Sequence, residues 1–252
     1  MSNALARGAS RLRGLSAREG FKTMLIHVWG EYGLYTRPEF ASDRVSYPVP
    51  PLSTITGLLE AFFWKRGVVW LVQRVYVLSE VRHVQIMRNE RLIDADCART
   101  QRRALFVKAP SYVIDARPAS AEPEQEGKAL AMTERWLLQG RSRRPLFLGS
   151  RECLAYLGPP PDDYAERAAA VNRDMPPLGR MPSAILYDER GTPLGTEWTE
   201  HLWDRDSGSY GFAGGPRRPR RVATPEFAPP AVGEADAGEV WVGAPSSRAV
   251  RR

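Results

Sequence analysis

The sequence predicts an α+β fold in which a four-stranded antiparallel sheet carries two helices on one face. Apolar patterns along residues 21–158 follow the order strand, helix, strand, strand, helix, strand, which is the order of a ferredoxin-like (RRM-like) βαββαβ domain. Only two of these segments have a helical spacing or a helix-forming composition. Hydrophobic residues make up 43% of the 252 residues, which is enough to build a core for one domain with a smaller attachment.

The first half of the domain begins with an apolar run, Phe21 to Gly30, which is typical of a buried strand bounded by glycine. Two prolines then precede a helix-spaced apolar series that Gly67 ends, so we expect a helix with proline near its first turn. The stretch from Val68 to Glu90 is rich in Val, Tyr, Trp and Ile, and it predicts one strand or a bent pair of strands. The members of the helical series are Leu52, Ile55, Leu58, Leu59, Phe62 and Phe63.

The second half of the domain begins with a polar segment, Arg91 to Arg103. Leu105 to Ala116 is strand-like, and the acidic, proline-containing segment from Pro118 to Glu126 predicts a loop. Lys128 to Gln139 lacks Gly and Pro and consists mostly of good helix formers, so it predicts the second helix. Leu146 to Leu157 completes the pattern as a strand region that Gly149 interrupts.

Composition divides the chain into four parts. Residues 1–20 form a flexible basic arm, and residues 21–158 form the ferredoxin-like domain. Residues 159–204 hold a possible short helix and two short β segments, which predict a small accessory β region. Residues 205–252 are rich in Gly, Pro, Ala and Arg, and this composition is typical of a disordered basic tail. The helix and the two β segments of the accessory region are Tyr164 to Arg173, Ile185 to Asp188 and Trp198 to Trp203.

The charge balance favours a polyanionic partner. The 36 Lys and Arg residues exceed the 29 Asp and Glu residues and give a net charge of +7, which is common in proteins that bind nucleic acid. A plain soluble protein with an Arg-rich tail is the alternative. Cys97 and Cys153 lack the spacing of a disulfide framework or a metal site, so neither metal nor cofactor is expected. The longest apolar stretch, around Val68 to Val72, is too short to span a bilayer, and the expected location is the cytoplasm.

Arginine recurs beside aromatic and amide side chains. Such pairs are typical of surfaces that clamp an RNA backbone and stack on its bases. The alternative is that these arginines pair with nearby acids at an ordinary surface, with Glu39, Asp43 and Glu90 as partners. The candidate RNA-binding residues are Tyr35, Arg37, Arg44, Arg88, Asn89, Arg102 and Arg151.

Several short motifs follow one another in a recognisable series. They are Tyr35-Thr36-Arg37-Pro38-Glu39, Arg44-Val45-Ser46-Tyr47-Pro48, Arg88-Asn89-Glu90, an Arg-rich approach to the strand around Tyr112, and the segment Phe147 to Cys153. With these motifs in order between about residues 21 and 158, the chain resembles the Cas-five family of type I-C CRISPR systems.

The resemblance implies an RNA-binding subunit of a type I-C surveillance (Cascade) complex, which holds the 5′ handle of the guide RNA (crRNA) in antiviral defence. The implied partners are crRNA, the backbone subunit of the Cas-seven family and the large subunit of the Cas-eight family, with target DNA reached indirectly. Family members usually carry a long thumb-like hairpin before the Arg-rich strand. Only Arg91 to Ala98 fill that gap here.

Many family members also cleave the precursor RNA without a metal, using a Tyr, a Lys and a His. The resemblance assigns the catalytic roles to Tyr47 and Lys128, while Ala129 stands where the family has the histidine. His83 is a weaker candidate for the missing base. Three functions therefore stay open: handle binding with residual or lost cleavage, an active metal-independent endoribonuclease using Tyr47 and Lys128, and a generic single-stranded RNA-binding module.

Overall fold

The computed structural model describes residues 23–40, 43–91, 99–188 and 192–214. Within these ranges the chain is a mixed α+β protein with mostly antiparallel strands and few helices, as predicted. The strands are β1 (Met24–Gly30), β2 (Tyr32–Gly33), β3 (Arg44–Val45), β4 (Val68–Val77), β5 (His83–Arg91), β6 (Arg99–Lys108), β7 (Ser111–Ser120), β8 (Leu146–Phe147), β9 (Leu154–Gly158), β10 (Gly179–Tyr187), β11 (Pro193–Asp204) and β12 (Ser209–Phe212), and the helices are α1 (Leu52–Phe62), α2 (Pro123–Leu138) and α3 (Tyr164–Ala170).

The large sheet has eight strands in the order β10-β11-β12-β4-β7-β1-β9-β8. Strand β1 pairs antiparallel with both β7 and β9, and β4 pairs with the other edge of β7. The side chains of β1 alternate between the two faces, because successive strand residues point to opposite sides of a sheet. Met24, Ile26 and Val28 are buried under the helices, whereas Trp29 is exposed on the opposite face.

The two predicted helices are confirmed, with one boundary corrected. Helix α1 buries the predicted apolar series against the sheet. Helix α2 begins at Pro123, five residues before the predicted start at Lys128, and proline is tolerated there because the first turn needs no N–H donor. The predicted loop from Pro118 to Glu126 is therefore wrong: β7 continues to Ser120, and only a short turn separates it from α2.

A second sheet contains β5 and β6, which form an antiparallel hairpin, with β2 and β3 also paired to β6. The predicted polar segment from Arg91 to Arg103 is wrong for residues 99–103, which are strand. The predicted single strand from Leu105 to Ala116 is two strands in different sheets, divided where Ala109 adopts a left-handed φ of 47°. Much of the hairpin is exposed, so it tolerates arginines that conceal its strand period.

The C-terminal strands extend the large sheet instead of forming a separate accessory region. Strand β12 joins β4 on one side and β11 on the other, so the predicted tail is wrong where it covers Ser209–Phe212. Tyr210 is fully buried, and its hydroxyl donates to the Pro50 carbonyl at 2.7 Å. Gly208 precedes this strand with a φ of +59°, close against α3, so its presence reflects a tight approach and not a disordered tail.

The face of the large sheet opposite α1 and α2 is partly covered by α3. The Tyr164 ring contacts Tyr76 edge-on at 5.2 Å between centroids, and Ala168 packs with Leu78 and Val113. The predicted arm, most of the predicted tail and Cys97 lie outside the described residues. No helix within the described ranges is long and apolar enough to cross a membrane.

Candidate nucleic-acid interface

The Tyr47 loop, the described residues 34–40 and 43–49, is fixed to the two sheets by backbone hydrogen bonds. Leu34 donates its N–H to Leu148 at 3.0 Å, and Tyr47 donates to the carbonyl of Tyr35 at 2.9 Å. Arg37 donates its N–H to Val45 at 2.9 Å, which closes the loop on itself. Because these bonds hold both arms of the loop, its side chains are presented in a defined arrangement before any ligand binds.

Arg37 and Glu39 both contact Tyr47. The guanidinium carbon of Arg37 lies 4.8 Å from the centre of the Tyr47 ring, and the Tyr47 hydroxyl donates to the Glu39 carboxylate at 3.2 Å. Burial and the negative charge of Glu39 raise the pKa of Tyr47 well above its usual range. The phenol therefore stays protonated at neutral pH, which suits it to donate a proton or a hydrogen bond and not to act as a base.

The Nε atom of Arg37 is buried without a hydrogen-bond partner among the described residues. A buried donor left unpaired costs free energy, and an Arg donor is well matched to a phosphate oxygen. Arg44 lies on the other arm of the same loop, in β3, beside β6. The loop thus carries two arginines, one of which has an unused donor.

His83 begins β5, within electrostatic reach of Arg37. Burial and then the positive charge of Arg37 lower the pKa of His83 from its usual value. A histidine with a lowered pKa is neutral at pH 7 and accepts a proton. The structure thus brings His83, the weaker sequence candidate, within electrostatic reach of Arg37, which in turn contacts Tyr47.

A second group of arginines meets beside the β5–β6 hairpin. Arg88 on β5 faces Arg102 on β6, and it also forms a two-point ion pair with Glu152, at 2.8 and 3.0 Å. Arg151 is exposed and precedes Glu152 in the turn between β8 and β9. Sequence reasoning missed Glu152 as the acid that positions Arg88, although it lies in the same motif as Arg151.

Asn89 and Tyr35 differ from the other candidates. Asn89 follows Arg88 on the same strand, so it points to the opposite face of the hairpin, where it is exposed. Tyr35 is only 2% exposed, and its hydroxyl donates to the hydroxyl of Tyr112 at 3.3 Å. The expectation that Tyr35 stacks on RNA is wrong, because a ring packed in the core offers no face to a base.

Lys128 does not join the Tyr47 loop. Its ammonium is exposed and pairs with Glu124, one turn earlier on α2, at 2.6 Å. Helix α2 begins just after Ser120, whereas the Tyr47 loop is attached near Tyr112, at the other end of β7. The Lys128 ammonium is therefore engaged within α2, and in the part of the chain that the structure describes it makes no contact with the Tyr47 loop.

Ala129, the position that lacks the family histidine, is 1% exposed and belongs to the hydrophobic core. A side chain there points away from solvent and from any bound RNA. The motif match puts the family histidine at this position, but a motif does not show which face of the helix a residue occupies. Within the described ranges, no group of three or more His, Cys, Asp or Glu residues lies together as a metal site would require.

Comparisons with known proteins agree on one family. The family model for the CRISPR-associated protein Cas5, of the Cas5d type, matches residues 23–207. The CRISPR pre-crRNA endoribonuclease Cas5d of Thermus thermophilus is 37% identical over 164 residues, covering 61% of this chain and 70% of that protein. The protein of the same name from Mannheimia succiniciproducens is 30% identical over 200 residues, covering 67% of this chain and 87% of that protein.

Solved structures support the same fold. A crystal structure of a CRISPR-associated protein aligns with a TM-score of 0.56 at 21% identity, covering 77% of this chain and 93% of that one. A functionally uncharacterized protein from Streptococcus mutans aligns with a TM-score of 0.52 at 20% identity, covering 76% of this chain and 92% of that one. The family model spans well over half of the sequence, and this chain belongs to the CRISPR-associated Cas5 family.

Proposed function

We propose that this protein is an RNA-binding subunit of a type I-C CRISPR surveillance complex, and that it holds the 5′ handle of the guide RNA. The observation that carries the proposal is the unpartnered Nε donor of Arg37, buried in a fixed loop beside Tyr47 and Arg44. A phosphate oxygen supplies the hydrogen-bond acceptor that this donor lacks. Both curated relatives are named for their action on pre-crRNA, which supports an RNA partner.

The proposal also covers the fold type of the domain and the partners that the protein binds. We propose a ferredoxin-like core, which is supported by the position of β1 between β7 and β9 and of β4 beyond β7, with α1 and α2 as the crossover helices. The arginines of the β5–β6 hairpin extend the RNA surface from the Tyr47 loop toward Arg151. The remaining partners are the backbone and large subunits that the family resemblance implies, and the location is the cytoplasm.

The binding experiment measures the affinity for a hairpin of the cognate CRISPR repeat by fluorescence anisotropy over a series of salt concentrations. If roughly six phosphates are contacted, the logarithm of the binding constant falls with the logarithm of salt with a slope of about −4 to −5. Arg37→Ala and Arg44→Ala weaken binding, whereas Arg180→Ala, which removes an exposed arginine from β10, is the matched control. A salt-independent affinity contradicts the proposal.

We also propose a second activity, cleavage of the precursor RNA at the Tyr47 loop. Neutral His83 takes the proton of a ribose 2′-hydroxyl, whose oxygen attacks the adjacent phosphorus. The bond from phosphorus to the 5′-oxygen breaks, and the Tyr47 phenol gives that oxygen its proton. The products are a 2′,3′-cyclic phosphate and a 5′-hydroxyl. Arg37 stabilises the extra negative charge that forms on the phosphate in between.

A further inference from the structure

The open face of the large sheet carries a row of rings that α3 leaves uncovered. Trp29 and Tyr156 are 37% and 58% exposed and lie opposite each other on β1 and β9, with ring centres 6.1 Å apart and planes inclined by 29°. His27 stacks on Trp29 with ring centres 4.5 Å apart, and its Nε2 is held 2.9 Å from the Ser111 hydroxyl. The three rings are therefore preoriented and accessible.

The Trp29 and Tyr156 rings form part of one wall of a groove of about 300 Å³ that is open to solvent. The other wall is the loop that follows α2, residues 139–145. We refer to this feature as the Trp29 groove, and its lining includes Trp29, Leu154 and Tyr156 from the sheet and Gly140, Ser142 and Pro145 from the loop.

The same loop carries arginines on its other side. The guanidinium of Arg141 lies 4.7 Å from the centre of the Trp136 ring, and that of Arg143 lies 5.1 Å from the Trp64 ring. Backbone N–H groups of Arg143 and Arg144 donate to the end of α1 at 2.9 and 3.1 Å, which fixes the loop. All three arginines are exposed. An aromatic groove and a positively charged ridge thus adjoin each other across one fixed loop.

We propose that the Trp29 groove binds single-stranded RNA, with bases stacked on Trp29 and Tyr156 and phosphates held by Arg141, Arg143 and Arg144. Stacking platforms beside basic side chains are how proteins bind single strands without reading a fixed sequence. An RNA strand brings phosphates that pair with these arginines, whereas an apolar protein partner would leave the arginines without counterions. The inference rests on the proposed function and deepens it, since a strand leaving the handle hairpin gains a second contact surface.

The test compares two RNAs, a repeat hairpin and the same hairpin with a single-stranded flank of about eight nucleotides, which is within the site size of single-strand binding domains. The full-length protein binds the flanked RNA more tightly than the bare hairpin. Tyr156→Ala reduces this gain by roughly ten-fold, since stacking contributes strongly per base, whereas Tyr156→Phe retains the ring and the gain. Leu202→Ala, which removes a half-exposed apolar residue from β11, leaves the gain unchanged.

A second arm tests the arginines. The flank adds its own contribution to the slope of the logarithm of the binding constant against the logarithm of salt. In the double variant Arg141→Ala, Arg144→Ala this contribution is smaller by about one to one and a half. A flank gain that is equal in wild type and Tyr156→Ala overturns the inference, as does a DNA flank that strengthens binding more than the RNA flank. Absence of binding to the bare hairpin counts instead against the proposed function. Thermal unfolding of each variant confirms that the exposed substitutions leave the fold intact.

Discussion

At the scale of single residues, the positive charge of Arg37 acts to lower the pKa of two titratable neighbours. It partly offsets the factors that raise the pKa of the Tyr47 phenol, and it lowers the pKa of the His83 imidazole. The two groups then hold complementary protonation states at neutral pH, a protonated phenol and a neutral imidazole. General acid–base catalysis needs one donor and one acceptor within reach of the same phosphate.

The first prediction concerns cleavage at this site. We expect His83→Ala and Tyr47→Phe each to slow single-turnover cleavage of repeat RNA by about 10² to 10⁴, because each removes a proton-transfer group. Hairpin affinity changes little in Tyr47→Phe, because the ring stays beside Arg37. The control is Lys128→Ala, which retains cleavage because Lys128 pairs with Glu124 on α2 and does not contact Tyr47 or His83.

The pH profile of the same reaction adds a second readout. Cleavage requires neutral His83, and the lowered pKa of His83 keeps it neutral below the ordinary value near 6.5, so the rate persists as the pH falls through that value. On the alkaline side the raised pKa of Tyr47 keeps the phenol protonated, and no loss occurs at moderately high pH. Cleavage that Lys128→Ala abolishes and His83→Ala leaves intact contradicts this assignment.

The second prediction concerns the position where the family has its histidine. Restoring it as Ala129→His does not accelerate cleavage, because Ala129 is buried in the core and a side chain there is closed off from solvent. The larger polar side chain instead destabilises the fold by about 1 to 3 kcal/mol through overpacking. Urea unfolding measures this loss, and Ala131→His on the exposed side of the same helix is the matched control. A faster and equally stable Ala129→His protein would contradict the structure.

At the scale of elements, α1 depends on a histidine that lies 149 residues away in the chain. The residue before the helix, Pro51, offers no side-chain hydrogen bond, and the first N–H groups of a helix have no partner within it. The N–H of Leu52 donates to Nε2 of His201 at 3.1 Å, while Nδ1–H of His201 donates to the Thr199 carbonyl at 2.8 Å. The Leu52 contact requires an unprotonated Nε2 and therefore a neutral imidazole, and burial lowers the pKa of His201 to about 4.

The third prediction is an acid sensitivity of this cap. His201 has an ordinary pKa near 6.5 in the unfolded chain and about 4 in the folded one, so its stabilisation is complete above 6.5 and is lost as the pH falls toward 4. The loss amounts to about 3 kcal/mol, because each pKa unit corresponds to about 1.4 kcal/mol. Urea unfolding at several pH values checks this, with His201→Gln as the variant that accepts the Leu52 bond without titrating. Parallel stability profiles for the two proteins would show that His201 contributes nothing to the pH dependence.

The elements that the sequence predicted well are those with one buried face. Strand β1 and helix α1 alternate or repeat their apolar residues with the period of their structure, because burial imposes that period. The β5–β6 hairpin shows a weaker pattern, because Val84 and Ile86 alternate toward the core but the next inward position is Arg88, which is held by an ion pair instead of apolar packing. The predicted stretch from Val68 to Glu90 therefore includes most of β5, whereas residues 99–103 of β6 are recognised only from their backbone pairing with β5.

At the scale of the whole molecule, the candidate site is assembled from segments that are distant in the chain. The Tyr47 loop was visible as a motif because its residues lie within fifteen positions of each other. The ion pair of Arg88 with Glu152 joins residues 64 positions apart, and α2 carries Lys128 away from the loop despite its motif match. The order of the motifs therefore indicated the family. The geometry of the site could not be predicted without the topology of both sheets.

The last prediction concerns the C-terminal boundary of the folded domain. The composition of residues 205–252 predicts a disordered tail, but β12 lies in the sheet between β4 and β11, with Tyr210 and Phe212 buried. Truncation before Gly208 removes this strand, breaks the bond from Tyr210 to Pro50 and leaves β10 and β11 without their connection to β4. Because losing even one large buried side chain costs about 3 to 5 kcal/mol, the shorter protein unfolds at a much lower temperature or without cooperativity.

Truncation after Gly214 provides the matched comparison, since it keeps all of β12. The residues that it removes are rich in Gly, Pro, Ala and Arg and poor in large apolar side chains, so we expect the melting temperature to stay close to that of the full chain. Differential scanning calorimetry of the full chain and the two truncated proteins distinguishes these effects. Equal melting temperatures for both truncations would show that β12 is dispensable, whereas equal destabilisation by both would assign a structural role to residues 215–252. The expected result, loss only with the shorter protein, places the end of the domain between Phe212 and Gly214.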